Sequence, residues 1–185
     1  MKEVAHSFSI LFMVNRNLIS QIREMFTVDQ GTRKLAKPGK GPINFLVYAV
    51  DIAHNYRLWK IIREFGYPTI NTIGKSALHR FFLLIQHQDF DSKLQECCLR
   101  KCDFTPIDQA FLFDRLLVKQ GKKQIYGTQF RRVKNKLVPF SIYKQDEVNT
   151  KRKSIGLEPL EEYSNSMNQG FRQLTRRKKI SLWSS

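Results

Sequence analysis

The run Phe81-Phe82-Leu83-Leu84-Ile85 is apolar on every side of a helix. Such a segment has no face to give to water, so it belongs at the centre of a helical assembly. The neighbouring sequence supplies helices to surround it. Phe8, Leu11, Phe12, Leu18, Ile19, Ile22, Met25 and Phe26 recur at helical spacing and predict a first helix from about Ser7 to Phe26. Lys37-Pro-Gly-Lys-Gly-Pro42 then breaks the chain. Pro42 opens a second helix from about Ile43 to Phe65, with Phe45, Leu46, Ala49, Ile52, Ala53, Leu58, Trp59, Ile61 and Ile62 as its packing set and Gly66 at its end. On that helix Asp51, His54 and Asn55 share a neighbouring polar face.

Gly74 precedes the central helix, Lys75 to Gln88, and Asp91 is placed to cap a fourth, Ser92 to Lys101. Thr105-Pro106 opens a fifth that runs to about Gln120. After Gly121 the pattern changes. Lys123–Phe130 and Leu137–Tyr143 read as two strands of a hairpin, joined by a basic turn. Short helices follow over Asp146–Ser154 and from Glu158-Pro159 to near Met167. The fold class is therefore mainly α (α+β): a single helical domain over 1–168 with a small β-hairpin at about 123–143 packed on it, and a basic flexible tail over 169–185.

Composition supports a folded chain, with 42% hydrophobic and 12% aromatic residues, and few Gly or Pro for a loop-rich sandwich. The formal net charge of +16 predicts attraction to polyanions, whether nucleic acid, anionic membrane or acidic protein. An odd set of cysteines, Cys97, Cys98 and Cys102, argues against a secreted disulfide framework. A metal site there would need a further ligand that the sequence does not supply, so no metal and no cofactor is expected. The N-terminus lacks the features of a signal peptide, and no apolar run is long enough to span a bilayer, so the expected compartment is the cytoplasm of a producing or a target cell.

Polar side chains in apolar settings mark the candidate site. Gln86 and His87 end the central helix. An imidazole there can act as a proton donor or acceptor near neutral pH, oriented by Asp89 or Asp114. Asp114 and Arg115 interrupt an otherwise apolar helix and call for partners. Gln124-Ile125-Tyr126-Gly127-Thr128-Gln129 crowds hydrogen-bonding side chains around one glycine and reads as an extended wall of a polar pocket. Asp29 and Arg33 lie at the exit of the first helix as an i,i+4 pair. Catalytic candidates are His87, Asp114 and Tyr126; ligand-binding candidates are Gln86, Arg115, Thr128, Gln129, Arg152, Asp29 and Arg33.

The ordered motifs Asp29-Gln30…Arg33, Asn55…Leu58, Gly66-Tyr67-Pro68…Gly74, Gln86-His87, Asp114-Arg115, Gly121…Gln124…Tyr126-Gly127-Thr128-Gln129 and Val148…Arg152…Gly156-Leu157…Tyr163 resemble a bacterial family of unknown function, DUF6624, over about residues 20 to 165. The resemblance implies a mainly helical domain with Gln86, His87, Asp114, Arg115, Tyr126, Thr128 and Gln129 in its signature, and brings no established reaction.

Two functional classes follow. One is an enzyme with a polar pocket around His87, performing hydrolysis or group transfer on an anionic small molecule bearing phosphate or carboxylate, with Arg115 and Arg152 holding the anion. The other is a nucleic-acid-binding or effector-like protein. Its carriers would be Arg131, Arg132, Lys134 and Lys136 on the hairpin, with Arg172, Arg176, Arg177, Lys178 and Lys179 in the tail.

Overall fold

The structure, a computed structural model, describes residues 14–36 and 42–181, with side chains over 14–36 and 44–173. The expected helix over residues 7–13, the Pro-Gly break over 37–41 and the side chains of Arg176, Arg177, Lys178 and Lys179 lie outside this description. Among the described residues there are seven α-helices and one two-stranded antiparallel sheet, so the protein is mainly α with a small sheet. The chain falls into two compact units, Met1–Thr105 and Pro106–Ser185.

In the first unit, α1 spans Arg16–Leu35, with the Asn15 side chain accepting the Leu18 amide as N-cap. Its buried residues are Leu18, Ile22, Met25 and Asp29. These follow one helical stripe, so Asp29 occupies a position that the pattern would fill with an apolar residue. The sequence reading ends this helix near Phe26 and leaves Asp29 at a solvated exit. The helix instead continues for two more turns, and Asp29 is 1% exposed.

The second helix, α2, spans Pro42–Phe65. Its buried residues, Asp51, His54, Leu58, Ile61 and Ile62, form one stripe. This face is rotated from the one expected: Phe45, Leu46 and Ile52 are exposed, while Asp51 and His54 point inward. An exposed Glu24–Arg57 pair joins α1 to α2 at 3.3 Å.

The third helix, α3, spans Ile70–Gln86 and carries the apolar run, with Phe81, Leu84 and Ile85 fully buried. A reciprocal Thr69–Thr72 capping box starts it, and Gly74, at φ 74°, kinks it after its first turn. The helix therefore begins before Gly74, where the sequence reading starts it after that residue. α4 spans Ser92–Lys101, capped by Asp91, which accepts the Leu94 amide. The other Asp91 oxygen accepts Asn55 Nδ2 and Trp59 Nε1, tying α2 to this cap. Cys98 and Cys102 are buried, and the hydrogen bond between the two thiols, with burial, pushes the Cys98 thiol up well above its ordinary range.

In the second unit, α5 spans Pro106–Lys119, with Asp108, Ala110, Leu112, Asp114 and Leu116 buried. Strands β1, Phe130–Val133, and β2, Lys136–Pro139, pair antiparallel, with Arg131 opposite Val138 and Val133 opposite Lys136. A short 3-10 turn, Gln145–Glu147, leads into α6, Val148–Ser154. The last helix, α7, spans Leu160–Ser181. It runs well past Met167, where the sequence reading stops it. The Arg- and Lys-rich stretch that follows is made of good helix formers and contains no proline. Asn168 on α7 covers the free edge of β2: its amide donates to the Leu137 carbonyl and its oxygen accepts the Leu137 amide, both at 2.9 Å.

The hairpin is shorter than the expected 123–143. Residues 124–129 form no strand; a lone bridge joins Gln124 to Ile142. The reason is at Gly127, which has φ +69°. The backbone shape favours glycine, and a Cβ there would also crowd two core side chains, lying 2.8 Å from Leu160 Cδ1 and 3.0 Å from Ile142 Cδ1.

Candidate functional site

A carboxylate buried on the core stripe of a helix must be paired, because isolated burial of its charge costs several kcal/mol or more. Asp29 meets that demand with three partners. Arg33 Nε donates to Oδ1 at 2.8 Å, one turn along α1. Gln30 Nε2 donates to Oδ2 at 2.8 Å. His87 Nδ1 lies 3.0 Å from both oxygens. Burial by itself would raise the Asp29 pKa, but the His87 hydrogen bond and the charges of His87 and Arg33 outweigh it and hold the carboxyl below its ordinary value. Asp29 is thus an ionised acceptor, and an ionised acceptor fixes His87 Nδ1 as a nitrogen that carries a proton.

The placement of His87 follows from the end of α3. As C-cap residue it sits beside carbonyls that the helix leaves without partners. In the fold, buried Gln95 takes them: its Nε2 donates to the Ile85 carbonyl at 3.2 Å and the Gln86 carbonyl at 3.3 Å. The ring is left to turn toward α1. The carboxylate that orients it is Asp29, a correction to the expectation of Asp89 or Asp114.

With Nδ1 held, Nε2 is the nitrogen left to the cavity that His87 lines. That cavity, of about 430 Å³, is also lined by Arg33, Asn44, Tyr48, Asp51 and Phe90. The Tyr48 and Phe90 rings meet edge to face at 6.0 Å, and both are about half exposed. Asp51 reaches the same guanidinium from α2, with Arg33 Nη2 at 2.5 Å. Burial raises the Asp51 pKa, Arg33 opposes this without cancelling it, and the negative charge of Asp29 adds to it. One guanidinium therefore bridges two carboxylates pushed in opposite directions: Asp29 toward permanent ionisation, Asp51 toward holding a proton. Such splitting is what separates acid from base in a site. Val47 and a third carboxylate, Asp89, complete the lining.

Asp51, Asn44, Tyr48 and Phe90 are absent from the site expected from sequence. For Asp51 the signal is present: Asp51, His54, Leu58 and Ile61 continue one helical stripe, which implies that the first two are buried. Nothing in the sequence marks Asn44, Tyr48 or Phe90.

Apart from Gln86, which ends α3 in the first unit, the other predicted site residues lie in the second unit, near Asp114. Its carboxylate accepts the amides of Ile125, Tyr126 and Thr128 and the Thr128 hydroxyl, at 2.7 to 3.2 Å. Gln124 is fully buried and equally committed. Its Nε2 donates to the Gln129 and Phe140 carbonyls, and its Oε1 accepts the Gln129 amide. Gln129 Nε2 donates to the Phe111 carbonyl and to Thr128 Oγ1. Arg152, 1% exposed, donates to the carbonyls of Glu158 and Tyr126, both at 2.6 Å, and lies over the Tyr163 ring at 5.0 Å. The polar groups of 124–129 are turned inward on Asp114 and one another. They build a loop, whereas the sequence reading makes them a pocket wall. Arg152 clamps that loop, with Nε on the Glu158 carbonyl and Nη1 on the Tyr126 carbonyl, and it is buried away from solvent. Arg115, Gln86 and the Tyr126 ring are half-buried.

His54 is buried one turn from Asp51, and among the described residues its Nδ1 has no hydrogen-bond partner. Burial lowers its pKa, with Asp29 opposing and Arg57 adding to the shift. A histidine whose folded pKa is depressed binds fewer protons folded than unfolded, so stability is lost as pH falls through the ordinary value of 6.5. His54→Leu is therefore expected to remove part of the acid sensitivity. The variant should gain on the wild type between pH 7.5 and pH 5.5 in urea titrations, and an unchanged difference would contradict a neutral buried His54.

Among the described residues, no group of three or more His, Cys, Asp or Glu side chains is arranged to hold a metal ion. No helix among them is long and apolar enough to cross a membrane.

Helices that bury an Asp–His pair in one unit, and a glutamine-rich loop wound on a buried aspartate in the other, define a mainly helical protein with two built polar centres. The family of unknown function DUF6624 matches residues 21–174, and the chain belongs to that family. No curated protein and no solved structure matches the chain.

Proposed function

We propose that the protein is an enzyme that moves protons through His87 on a small, neutral, polar molecule bound in the cavity of the first unit. Hydrolysis is the compatible reaction class. The observation that carries this reading is the Asp29 carboxylate on His87 Nδ1, which leaves Nε2 as a base toward the cavity. In this scheme Nε2 takes a proton from water, the hydroxide attacks an ester or amide carbonyl, and the leaving group takes a proton from Asp51. Tyr48 and Phe90 offer ring surface to an apolar part of the substrate.

The anionic ligand expected from sequence fits less well. Arg33 is held between Asp29 and Asp51, and the Asp89 carboxyl group lines the same cavity. The test is a panel of p-nitrophenyl acetate, a p-nitroanilide amide and p-nitrophenyl phosphate, run with wild type and His87→Ala. Turnover of the ester or amide that His87→Ala abolishes supports the reading. Turnover confined to the phosphate would restore the anionic ligand. Equal rates in both proteins on every substrate would end the enzyme reading.

A further inference from the structure

We infer that the β-hairpin of the second unit is a docking surface for the phosphate backbone of a nucleic acid, a property separate from the His87 cavity. From Arg115 to Gln145 the chain carries nine Lys and Arg and no Asp or Glu. Four of them, Arg131, Arg132, Lys134 and Lys136, fall within six consecutive residues, and all six residues are exposed. Among the described residues none of these four is in an ion pair with a carboxylate, although ion pairs form elsewhere in the chain at Arg33, Arg57, Lys60, Lys144 and Lys151.

The register of the hairpin sorts these cations. Arg131 pairs with Val138, and Lys136 with Val133, so Arg131 and Lys136 stand on one face of the ribbon. Arg132 stands on the other face, where its guanidinium lies over the Phe171 ring of α7 at 5.4 Å and its Nε donates to the Lys134 carbonyl. Arg131 lies over the Phe140 ring at 5.9 Å. Lys134 occupies the turn at φ 53°. Both arginines are thus braced on aromatic rings, which lowers the conformational entropy lost when a phosphate is bound. The edge of β2 is already covered by Asn168, so the ribbon offers its side chains to a partner and not that strand edge.

Charge and exposure select the occupant. A lipid surface would need apolar side chains to bury, and over residues 131–136 only Val133 is an exposed large apolar residue. A phosphate backbone needs only spaced cations, which the hairpin supplies.

Fluorescence anisotropy of a labelled single-stranded dT 20-mer and of a labelled duplex, with the full chain, tests this directly. Four neutralised phosphates predict a slope of log K against log salt of about −3 for the single strand. That is an affinity loss of roughly fiftyfold between about 50 and 200 mM salt, with Kd in the micromolar range. Arg131→Gln with Lys136→Gln is expected to weaken binding and reduce the slope by about 1.4. Lys75→Gln with Lys93→Gln, exposed cations of the first unit, removes the same charge and is expected to leave both nearly unchanged. Melting curves check that each variant folds. Absence of oligonucleotide binding, equal weakening by the two double variants, or binding to phosphatidylserine vesicles without oligonucleotide binding would each overturn the inference.

Discussion

Asp114→Ala is expected to cost about 3–5 kcal/mol of stability in urea denaturation, enough to leave the second unit largely unfolded at moderate denaturant. The reason lies in what the carboxylate holds. The amides of Ile125, Tyr126 and Thr128, and the Thr128 hydroxyl, all point at two oxygens that are wholly buried. Alanine leaves those donors facing an apolar space, and each buried unsatisfied donor costs roughly 1–3 kcal/mol. The loop they form also carries the carbonyl on which Arg152 Nη1 rests, so a second buried charge loses a partner. Asp114→Asn keeps one acceptor but turns an amide group against incoming N–H donors, so it is expected to fall between wild type and alanine. A loss below about 1 kcal/mol for alanine would show that the loop holds its shape without the carboxylate.

The second large effect concerns catalysis. His87→Ala is expected to lower kcat/KM on any substrate the protein turns over by about 10²–10⁴-fold, the usual contribution of a positioned acid–base group. Asp29→Asn keeps size and shape but removes the charge that fixes the ring. An asparagine amide can donate to Nδ1 and so favour the opposite tautomer, with the proton on Nε2, where it cannot act as a base. The expected loss approaches that of His87→Ala, together with a changed pH–rate profile, which a purely structural role for Asp29 would not produce. Because the folded pKa of Asp29 is depressed, the stability it contributes is present above the ordinary value of 3.8 and is lost as pH falls through its folded value. Asp51 runs the other way. Its folded pKa is raised, so its contribution is full below 3.8 and fades as pH rises through the folded value. Asp29→Asn and Asp51→Asn are therefore expected to show opposite pH trends in stability relative to wild type across the acid range.

Much of the helical layout can be read from the chain because apolar periodicity and Pro or Gly punctuation report burial and chain breaks directly. Phe81–Ile85 is a core helix segment as its composition demands, and Asp91 caps α4 as expected. The failures have physical causes. Asp29 looks like a helix exit because it is charged, yet it continues the Leu18, Ile22, Met25 stripe. Periodicity was the better guide than polarity there. The same error recurs at Asp51 and His54, which extend the Leu58 and Ile61 stripe while Phe45 and Ile52 stay outside. At Gln124–Gln129 an alternating pattern suggested a strand. The alternation instead serves a loop whose polar groups converge on Asp114, because Gly127 turns the chain out of the extended region. The His87–Asp29 pair joins residues 58 positions apart, and no local pattern encodes a pairing of that range.

The claim on which the proposed function rests is the tautomer of one ring. Long-range ¹H–¹⁵N correlation spectra of the imidazole side chains at neutral pH, assigned with His87→Ala, read it directly. The prediction is a neutral His87 carrying its proton on Nδ1, shifted downfield by the Asp29 carboxylate, with that signal lost in Asp29→Asn. A His87 ring protonated on Nε2 alone, or one whose signals are the same in wild type and Asp29→Asn, would contradict it.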